Sequence, residues 1–363
     1  MRAISRRRFL GGTAALAAGG AGIALVGCGD GSDARRSPTS PAPVTATPAG
    51  SAATATPARA LRWTRVEAAG APSPRRDHSL TFHAGEGVLY AFGGRAGGVS
   101  TNELWTFDPR GSRWTKVDAA GEAPAPRFGH NAFYDGQARR VVVALGQGDS
   151  GFFDDVWAFE GGRWRRLDDP SADHPEIRYG AASAHDASAR RLIVSHGFTD
   201  KGRFDDTWAF SLADNRWSQV KTSGDRPIKR CLTRGLWLEA QQALAIFGGQ
   251  TDSNPFLGDF WLLETARGRW AEQQVARPGA RNLYGADFDA SAGRWYVVSG
   301  NTPDGPVAET WVYDIRAQSW QPLMTEGEPT PRYSADAAVA DGRVFLFAGH
   351  DGSAEVGDLW VLG

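Results

Sequence analysis

The chain has 363 residues, and its 40 Lys and Arg residues against 41 Asp and Glu residues give a formal net charge of −1. This near balance gives no electrostatic argument for a nucleic-acid partner. Only two cysteines are present, so the fold cannot depend on a framework of disulfides.

The first 27 residues are typical of an export signal. Residues 5–10 read SRRRFL and resemble the twin-arginine export motif, and an apolar run rich in Ala and Gly follows over residues 11–27. That run is too short and too rich in Gly for a membrane-spanning helix, and it suits a signal peptide. Residues 25–28 read LVGC and resemble the lipobox of bacterial lipoproteins, in which the cysteine receives a diacylglycerol. The alternative is a plain signal peptide that happens to contain Cys28.

Residues 28–60 are predicted to be a linker. Beyond Cys28 this segment consists mostly of Ser, Pro, Thr, Ala and Gly, and such a composition cannot bury enough apolar surface to fold. Acyl chains on Cys28 would hold the protein at a bilayer. We therefore expect a lipid-anchored, extracytoplasmic protein of the bacterial cell envelope, and the sequence does not assign the membrane leaflet.

Residues 61–363 contain a repeat of about 51 residues that occurs six times, with two series of tryptophans running in step through it. The first series is Trp63, Trp114, Trp164, Trp217, Trp270 and Trp320, and the second is Trp105, Trp157, Trp208, Trp261, Trp311 and Trp360. Each copy also has an almost wholly apolar run, such as residues 88–92, with a Gly after it. A period of this length with strand-like content indicates a repeat architecture, and continuous apolar strands indicate sheets pressed between neighbouring sheets.

The repeat resembles the kelch repeat, in which an apolar strand ends in Gly-Gly and a Trp follows at a fixed spacing. Only residues 93–94 and 248–249 keep both glycines, so the series is divergent. The resemblance implies an all-β, six-bladed propeller with four-stranded antiparallel blades, whose strands are lettered a to d from the centre outward. The sixth copy ends at Gly363 without a strand d, whereas residues 62–66 repeat the pattern of residues 113–117. We therefore expect the N-terminal strand to complete the last blade.

Each copy has an arginine at the predicted start of strand a and an acid two residues before the second Trp. The arginines are Arg75, Arg127, Arg178, Arg230, Arg281 and Arg332, and the acids are Glu103, Asp155, Asp206, Asp259, Glu309 and Asp358. Antiparallel strands put both sets at one mouth of the central channel. The six arginines are therefore predicted to ring this mouth and to bind an anionic or sugar-like ligand. The alternative is that each arginine pairs with a neighbouring acid and ties blade to blade.

Residues that differ between the copies are further candidates for ligand contacts at the same mouth. They are His78, His130, His196, His350, Asp149, Asp252 and Asp351. His78, His350 and Asp351 could together form a metal site, because imidazole and carboxylate groups suit zinc or iron, although no spacing signature supports one. We expect hydrogen-bonded histidines and no cofactor, with a metal left open.

Three functions are compatible with these features, since a propeller fold does not choose between them. The first is a non-enzymatic binding module of the cell envelope, with a protein or glycan ligand at the mouth. The second is an enzyme acting on an acidic sugar, because bacterial sialate mutarotases are similar exported kelch propellers; Asp200 or Asp304 would then move the proton. The third, a metal-dependent oxidoreductase, is indicated only by the export route. Cys231 is expected to be a buried free thiol.

Overall fold

A computed structural model describes residues 61–363, and these residues form six four-stranded antiparallel sheets that are the blades of a propeller. The predicted fold class is confirmed. In every blade the strands follow the order a, b, c, d across the sheet, so that consecutive strands are neighbours. The predicted signal peptide, Cys28 and the linker lie outside the described residues.

The strands have closely similar bounds in all six blades. Strands a are Ser79–His83, Asn131–Asp135, Ala182–Asp186, Arg234–Leu238, Gly285–Asp289 and Asp336–Ala340. Strands b are Val88–Phe92, Arg140–Ala144, Arg191–Ser195, Ala243–Gly249, Arg294–Val298 and Arg343–His350. Strands c are Leu104–Asp108, Val156–Glu160, Thr207–Ser211, Leu257–Glu264, Thr310–Asp314 and Glu355–Leu362. Strands d are Arg113–Val117, Arg163–Arg166, Arg216–Gln219, Arg269–Glu272, Ser319–Leu323 and, for blade 6, Leu61–Val66.

Between strands b and c the chain forms a short two-stranded ribbon in most blades. The paired ribbon segments are Arg95–Ala96 with Val99–Ser100, Gln147–Gly148 with Gly151–Phe152, Phe198–Thr199 with Gly202–Arg203, and Asn301–Thr302 with Gly305–Pro306. In blades 4 and 6 the long strands b and c replace a separate ribbon. The remaining elements are the 3₁₀ turn Glu239–Gln241 and the two-residue strand Thr325–Glu326.

The N-terminal strand closes the ring as predicted. It pairs antiparallel with strand c of blade 6, from Trp63 opposite Leu362 to Val66 opposite Leu359. Its first residues also pair in parallel with Thr325–Glu326, in the segment that leads from blade 5 into blade 6. Blade 6 therefore contains both ends of the propeller domain.

The hydrophobic core consists of six clusters, and each of them lies between two neighbouring blades. Between blades 2 and 3, for example, Val142 packs with Val194 and with Trp217. All six tryptophans on strands d are buried, with at most 7 % of their surface exposed. Because a blade buries its faces only against its neighbours, this packing requires the complete ring.

Two concentric rings of backbone hydrogen bonds join the blades near the channel. In the outer ring a glycine at or just beyond the end of strand b donates its amide N–H to the carbonyl of the arginine before strand a of the next blade. Gly94 donates to Arg127 at 2.8 Å, and Gly349 donates to Arg75 at 2.8 Å. The inner ring consists of Asp77, Gly129, Gly180, Leu232, Leu283 and Ser334, and each amide donates to the carbonyl of the preceding blade's member over 2.7 to 3.4 Å. All six inner-ring residues have φ between 53° and 62°. Four of the six are not glycine, so closing this ring costs backbone strain.

Candidate functional site

The six arginines that precede strands a are buried, with 0 to 1 % of their surface exposed. Arg178 shows the arrangement: its guanidinium donates to both carboxylate oxygens of Asp206, at 2.6 and 3.0 Å, and to the carbonyl of His196 at 3.0 Å. Four of the six arginines bind their acid through both oxygens in this way, and each of the six acids lies on the arginine's own blade. The prediction that the guanidinium groups line the mouth is wrong, because each is enclosed within its blade.

The arginine–acid pairs that were expected as the alternative are present, but they lie within single blades and do not join one blade to the next. The side chain ties the end of strand b to the start of strand c within one blade. The link from blade to blade is made by the arginine's backbone carbonyl, in the outer ring of hydrogen bonds. In blades 2 and 3 a phenylalanine ring covers the guanidinium, with Phe204 4.2 Å from Arg178 and Phe153 4.1 Å from Arg127.

The strand-c acids also fix the second tryptophan series. The indole N–H of Trp208 donates to Asp206 at 2.8 Å, and the same contact occurs in blades 1, 2, 4 and 6. Burial alone would raise the pKa of Asp206, but the hydrogen bonds from Arg178 and Trp208 outweigh it and hold that pKa below its ordinary value. These arginine–acid–tryptophan units are therefore ion pairs that stabilise each blade.

Inside the inner ring the channel narrows to a chamber of about 40 Å³ lined by His78, His130 and Thr233. His78 packs edge-on against Phe347 at 5.0 Å, and His130 lies 2.9 Å from the hydroxyl of Ser79. Burial lowers the pKa of both imidazoles, that of His130 to about 3, so both are neutral.

The remaining candidate histidines are also held by local contacts. His196 is fully buried and lies 2.8 Å from the hydroxyl of Ser195, and His350 stacks on Tyr333 at 5.1 Å. Among residues 61–363, no group of three or more His, Cys, Asp or Glu side chains is arranged to hold a metal ion. The structure thus does not assemble the metal site considered for His78, His350 and Asp351.

The loop acids are spread over the ribbons and do not converge on the channel. The carboxylate of Asp149 accepts hydrogen bonds from Ser100 of the neighbouring blade, and Asp252 pairs with Arg203. Asp351 accepts bonds from the backbone of its own turn. Asp200 and Asp304, proposed to move a proton, are exposed in blades 3 and 5, and no ion pair is formed by either in the described range.

The face that carries the ribbons has a continuous group of aromatic and arginine side chains on blades 1 to 3. Tyr179 lies 5.8 Å from both Phe128 and Phe198, measured between ring centres, and Phe152 lies 6.2 Å from Tyr179. Guanidinium groups flank this group at both ends, with Arg95 4.9 Å from the ring of Phe128 and Arg203 5.2 Å from that of Phe198. The aromatic–arginine face is defined here as Arg95, Phe128, Phe152, Tyr179, Phe198 and Arg203.

On the opposite side of the inner ring the channel widens to a cavity of about 630 Å³. Three charged side chains of strands a face it: Arg234, Asp287 and Asp336. The guanidinium of Arg234 forms an ion pair across the channel with Asp336, with 3.0 Å between the nitrogen and the carboxylate oxygen, although the two residues belong to blades 4 and 6. Asp287 accepts the backbone N–H of Val339 at 2.7 Å.

Comparison with known proteins agrees with this architecture. The model of the KLHDC2/KLHL20/DRC7 Kelch-repeats domain matches residues 53–241 and 234–363. The chain belongs to the kelch-repeat family. Similar curated proteins include the leucine-zipper-like transcriptional regulator 1 homolog of Drosophila melanogaster, 25 % identical over 332 residues, which cover 82 % of this chain and 32 % of the relative. The serine/threonine-protein phosphatase BSL2 of Arabidopsis thaliana is 29 % identical over 241 residues, which cover 62 % of this chain and 23 % of the relative.

A third relative is the flagellar outer-arm dynein alpha chain of Chlamydomonas reinhardtii, which is 23 % identical over 265 residues, or 66 % of this chain and 6 % of the relative. The kelch domain therefore spans a third or less of the length of these relatives, which are large proteins of different kinds. No helix in the described part of the chain is long and apolar enough to cross a membrane.

Sequence reasoning missed the charged residues of the kelch channel. They could have been found from the residue types at equivalent positions of strand a, which differ from one copy of the repeat to the next. The position of Arg234 is Ser79 in blade 1 and Ala182 in blade 3, and the position of Asp287 is Ala338 in blade 6. Cys231, by contrast, is the buried free thiol that was predicted.

Proposed function

We propose that this kelch propeller is a protein-binding module of the bacterial cell envelope, held at a membrane by a lipid on Cys28, and that it binds its partner with the aromatic–arginine face. Kelch propellers serve as protein-interaction modules. The residues that recur in every blade form its ion pairs and its core. A partner must therefore be recognised by residues that differ from blade to blade.

The observation that carries this proposal is the composition of the face. Tyrosine, phenylalanine and arginine are enriched at the centres of protein interfaces, where a few such residues supply most of the binding free energy. Tyr179, Phe198 and Arg203 are each partly exposed. They are also held by mutual contacts, so little conformational entropy is lost when a partner covers them.

The same face on blades 4 and 5 is polar and serves as an internal comparison. Phe198 and Asn301 occupy equivalent positions, because each begins the ribbon of its blade. Tyr179 and Asn282 are likewise equivalent, since each forms the bridge to that ribbon residue. The structure thus contains both a candidate interface and a matched control surface.

Site-specific photo-crosslinking in the native host tests the binding face. A benzophenone amino acid at position 198 should give a discrete protein adduct, and the same group at position 301 should not. Arg203→Ala should reduce the yield of the adduct at position 198. Identical adducts from both positions, or no adduct from position 198, would contradict the proposed face.

Fractionation of the same cells tests the tether. Cys28→Ser should move the protein from the membrane fraction to the soluble extracytoplasmic fraction, and replacing Arg6 and Arg7 by Lys should leave it inside the cell. Membrane association that survives Cys28→Ser would remove the lipid anchor from the proposal without affecting the binding face.

A further inference from the structure

The 630 Å³ cavity opens at the end of the channel where the turns between strands a and b lie, since Ala84, Ala187 and Ala290 of these turns line it. Its volume falls in the range of small-molecule sites. The aromatic–arginine face lies at the other end of the channel, beyond the inner ring. The cavity can therefore bind a ligand independently of the proposed protein partner.

Aromatic side chains form a collar around this cavity. The fourth residue of strand a is aromatic in five of the six blades, and the six residues are Phe82, Tyr134, His185, Trp237, Phe288 and Val339. Phe133 adds a further ring, packed 4.4 Å from that of His185. Aromatic faces carry negative potential, and a ring of them attracts an organic cation.

The charges that face the cavity do not balance. Arg234 is neutralised by Asp336, which also accepts the backbone N–H of Leu80 at 2.9 Å. Asp287 has only backbone N–H donors, and no Lys, Arg or His nitrogen of residues 61–363 lies within 4.0 Å of it. Glu239 adds a second acid beside the rim, where it accepts the indole N–H of Trp237 at 2.8 Å. A carboxylate without a counter-ion thus lies within an aromatic collar.

We propose that this cavity is a binding site for a small organic cation, an ammonium group attached to an apolar or aromatic body. Asp287 supplies the counter-charge, and the collar encloses the cation and its apolar body. The Arg234–Asp336 pair holds the inner end of the cavity in place and excludes a second cation there. An anionic ligand is disfavoured, because Arg234 is already paired and Asp287 repels it.

The titration of Asp287 makes this binding depend on pH. Burial raises the pKa of Asp287 to about 7, and the neighbouring Asp336 and Asp289 add to this effect. The other titratable or charged groups that face the cavity are Tyr134, His185, Arg234, Glu239 and Asp336. Burial lowers the pKa of His185, so this imidazole takes up a proton less readily than an exposed one. Since the cation binds the ionised carboxylate, its affinity should rise about tenfold from pH 6 to pH 8.

Isothermal titration calorimetry of the purified protein with three test compounds of similar shape measures this preference. Benzyltrimethylammonium should bind with a one-to-one stoichiometry and at least about tenfold more tightly than benzyl alcohol, whereas benzoate should bind more weakly than either. Equal affinities for the three compounds, or a preference for benzoate, would overturn the proposal.

Two variants and a matched control locate the site. Asp287→Asn keeps an acceptor for the amide of Val339 and should abolish both the preference for the cation and its pH dependence. Phe288→Leu keeps an apolar side chain at this position but removes the aromatic ring. It should weaken binding of the cation severalfold, with little effect on binding of benzyl alcohol. Asp304→Asn removes an exposed acid from the other end of blade 5 and should change nothing. If Asp287→Asn binds the cation as tightly as the wild type does, Asp287 is not the counter-ion. If that variant folds poorly, Phe288→Leu still tests the site, because unchanged cation binding by it would rule out the aromatic collar.

Discussion

The arginine–acid units are repeated in every blade, whereas the channel wall differs from blade to blade, although both lie on the same blades. The units recur six times with closely similar contacts, and their arginines are fully buried. Along the channel wall no two strands a have the same sequence, and charged residues such as Arg234 and Asp287 occur in single copies. A residue that every blade needs stabilises the ring, whereas a residue that one blade has alone is available for recognition.

The largest expected effect comes from breaking one of the repeated units. Arg178→Ala leaves the partly buried Asp206 without its counter-ion and the buried carbonyl of His196 without its side-chain donor, which should lower the free energy of unfolding by about 3–5 kcal/mol. The exposed Arg216 on strand d is the matched control, and its replacement by Ala should change stability by less than about 0.5 kcal/mol. Urea denaturation of both variants measures the difference, and similar losses in the two would contradict the comparison.

A single-copy arginine should matter less to stability. Arg234→Ala should cost about 1–2 kcal/mol, because Asp336 can take up a proton when its partner is removed. Burial already raises the pKa of Asp336 against the opposing effect of Arg234. A loss as large as that of Arg178→Ala, measured by the same urea titration, would place Arg234 among the structural residues.

The dependence of stability on acid pH should test all the arginine–acid units at once. Hydrogen bonds to arginine and tryptophan outweigh burial and lower the folded-state pKa of Asp206, Asp259 and Asp358. Their stabilising contribution is therefore complete above the unfolded-state pKa of about 4 and is lost as the pH falls below it. Melting temperatures between pH 5 and pH 2 should fall by several degrees, and a flat profile would show that these pairs contribute little.

Asp287 in the channel should change stability with pH in the opposite direction, and its effect should be the smallest of the four. Because the folded-state pKa of Asp287 is raised to about 7 from 3.8, the wild-type protein loses stability as the pH rises through that interval. The full pKa shift would correspond to about 4 kcal/mol, but water in the cavity screens the partly exposed Asp287. Asp287→Asn removes this loss and should therefore increase the free energy of unfolding at pH 8 by on the order of 1 kcal/mol, with a smaller gain at pH 4.5. Thermal denaturation at the two pH values measures it, and destabilisation at pH 8 would mean that the ionised carboxylate is already compensated in the fold.

The sequence allowed the architecture to be predicted because the determining signals are local and repeated. The apolar run of residues 88–92 is strand b as the structure has it, and the pairing of Trp63 with Leu362 confirms the closure read from matching segments. The orientation of the arginines could not be read in this way. Arg178 precedes its strand by four residues, at Ala182, and its side chain turns outward between strands b and c.

The channel site was beyond sequence reasoning for a different reason. Arg234 and Asp336 meet across the ring from blades that are not adjacent, so their contact depends on the diameter of the channel rather than on spacing along the chain. The inner ring is similar, because Asp77, Leu232 and Ser334 share no residue type and have only the backbone conformation in common. Such features follow from the closed geometry and not from a motif.

The pairing of Leu61–Val66 with Glu355–Leu362 sets the order in which the domain can be completed. The first strand of the propeller domain cannot pair until the last strand has been synthesised, so the ring closes only after the other blades have had time to fold. A nascent chain that stops before residue 355 leaves the last blade with an open edge, and such an edge can pair with other chains. Closure of the propeller therefore cannot precede the synthesis of residues 355–362.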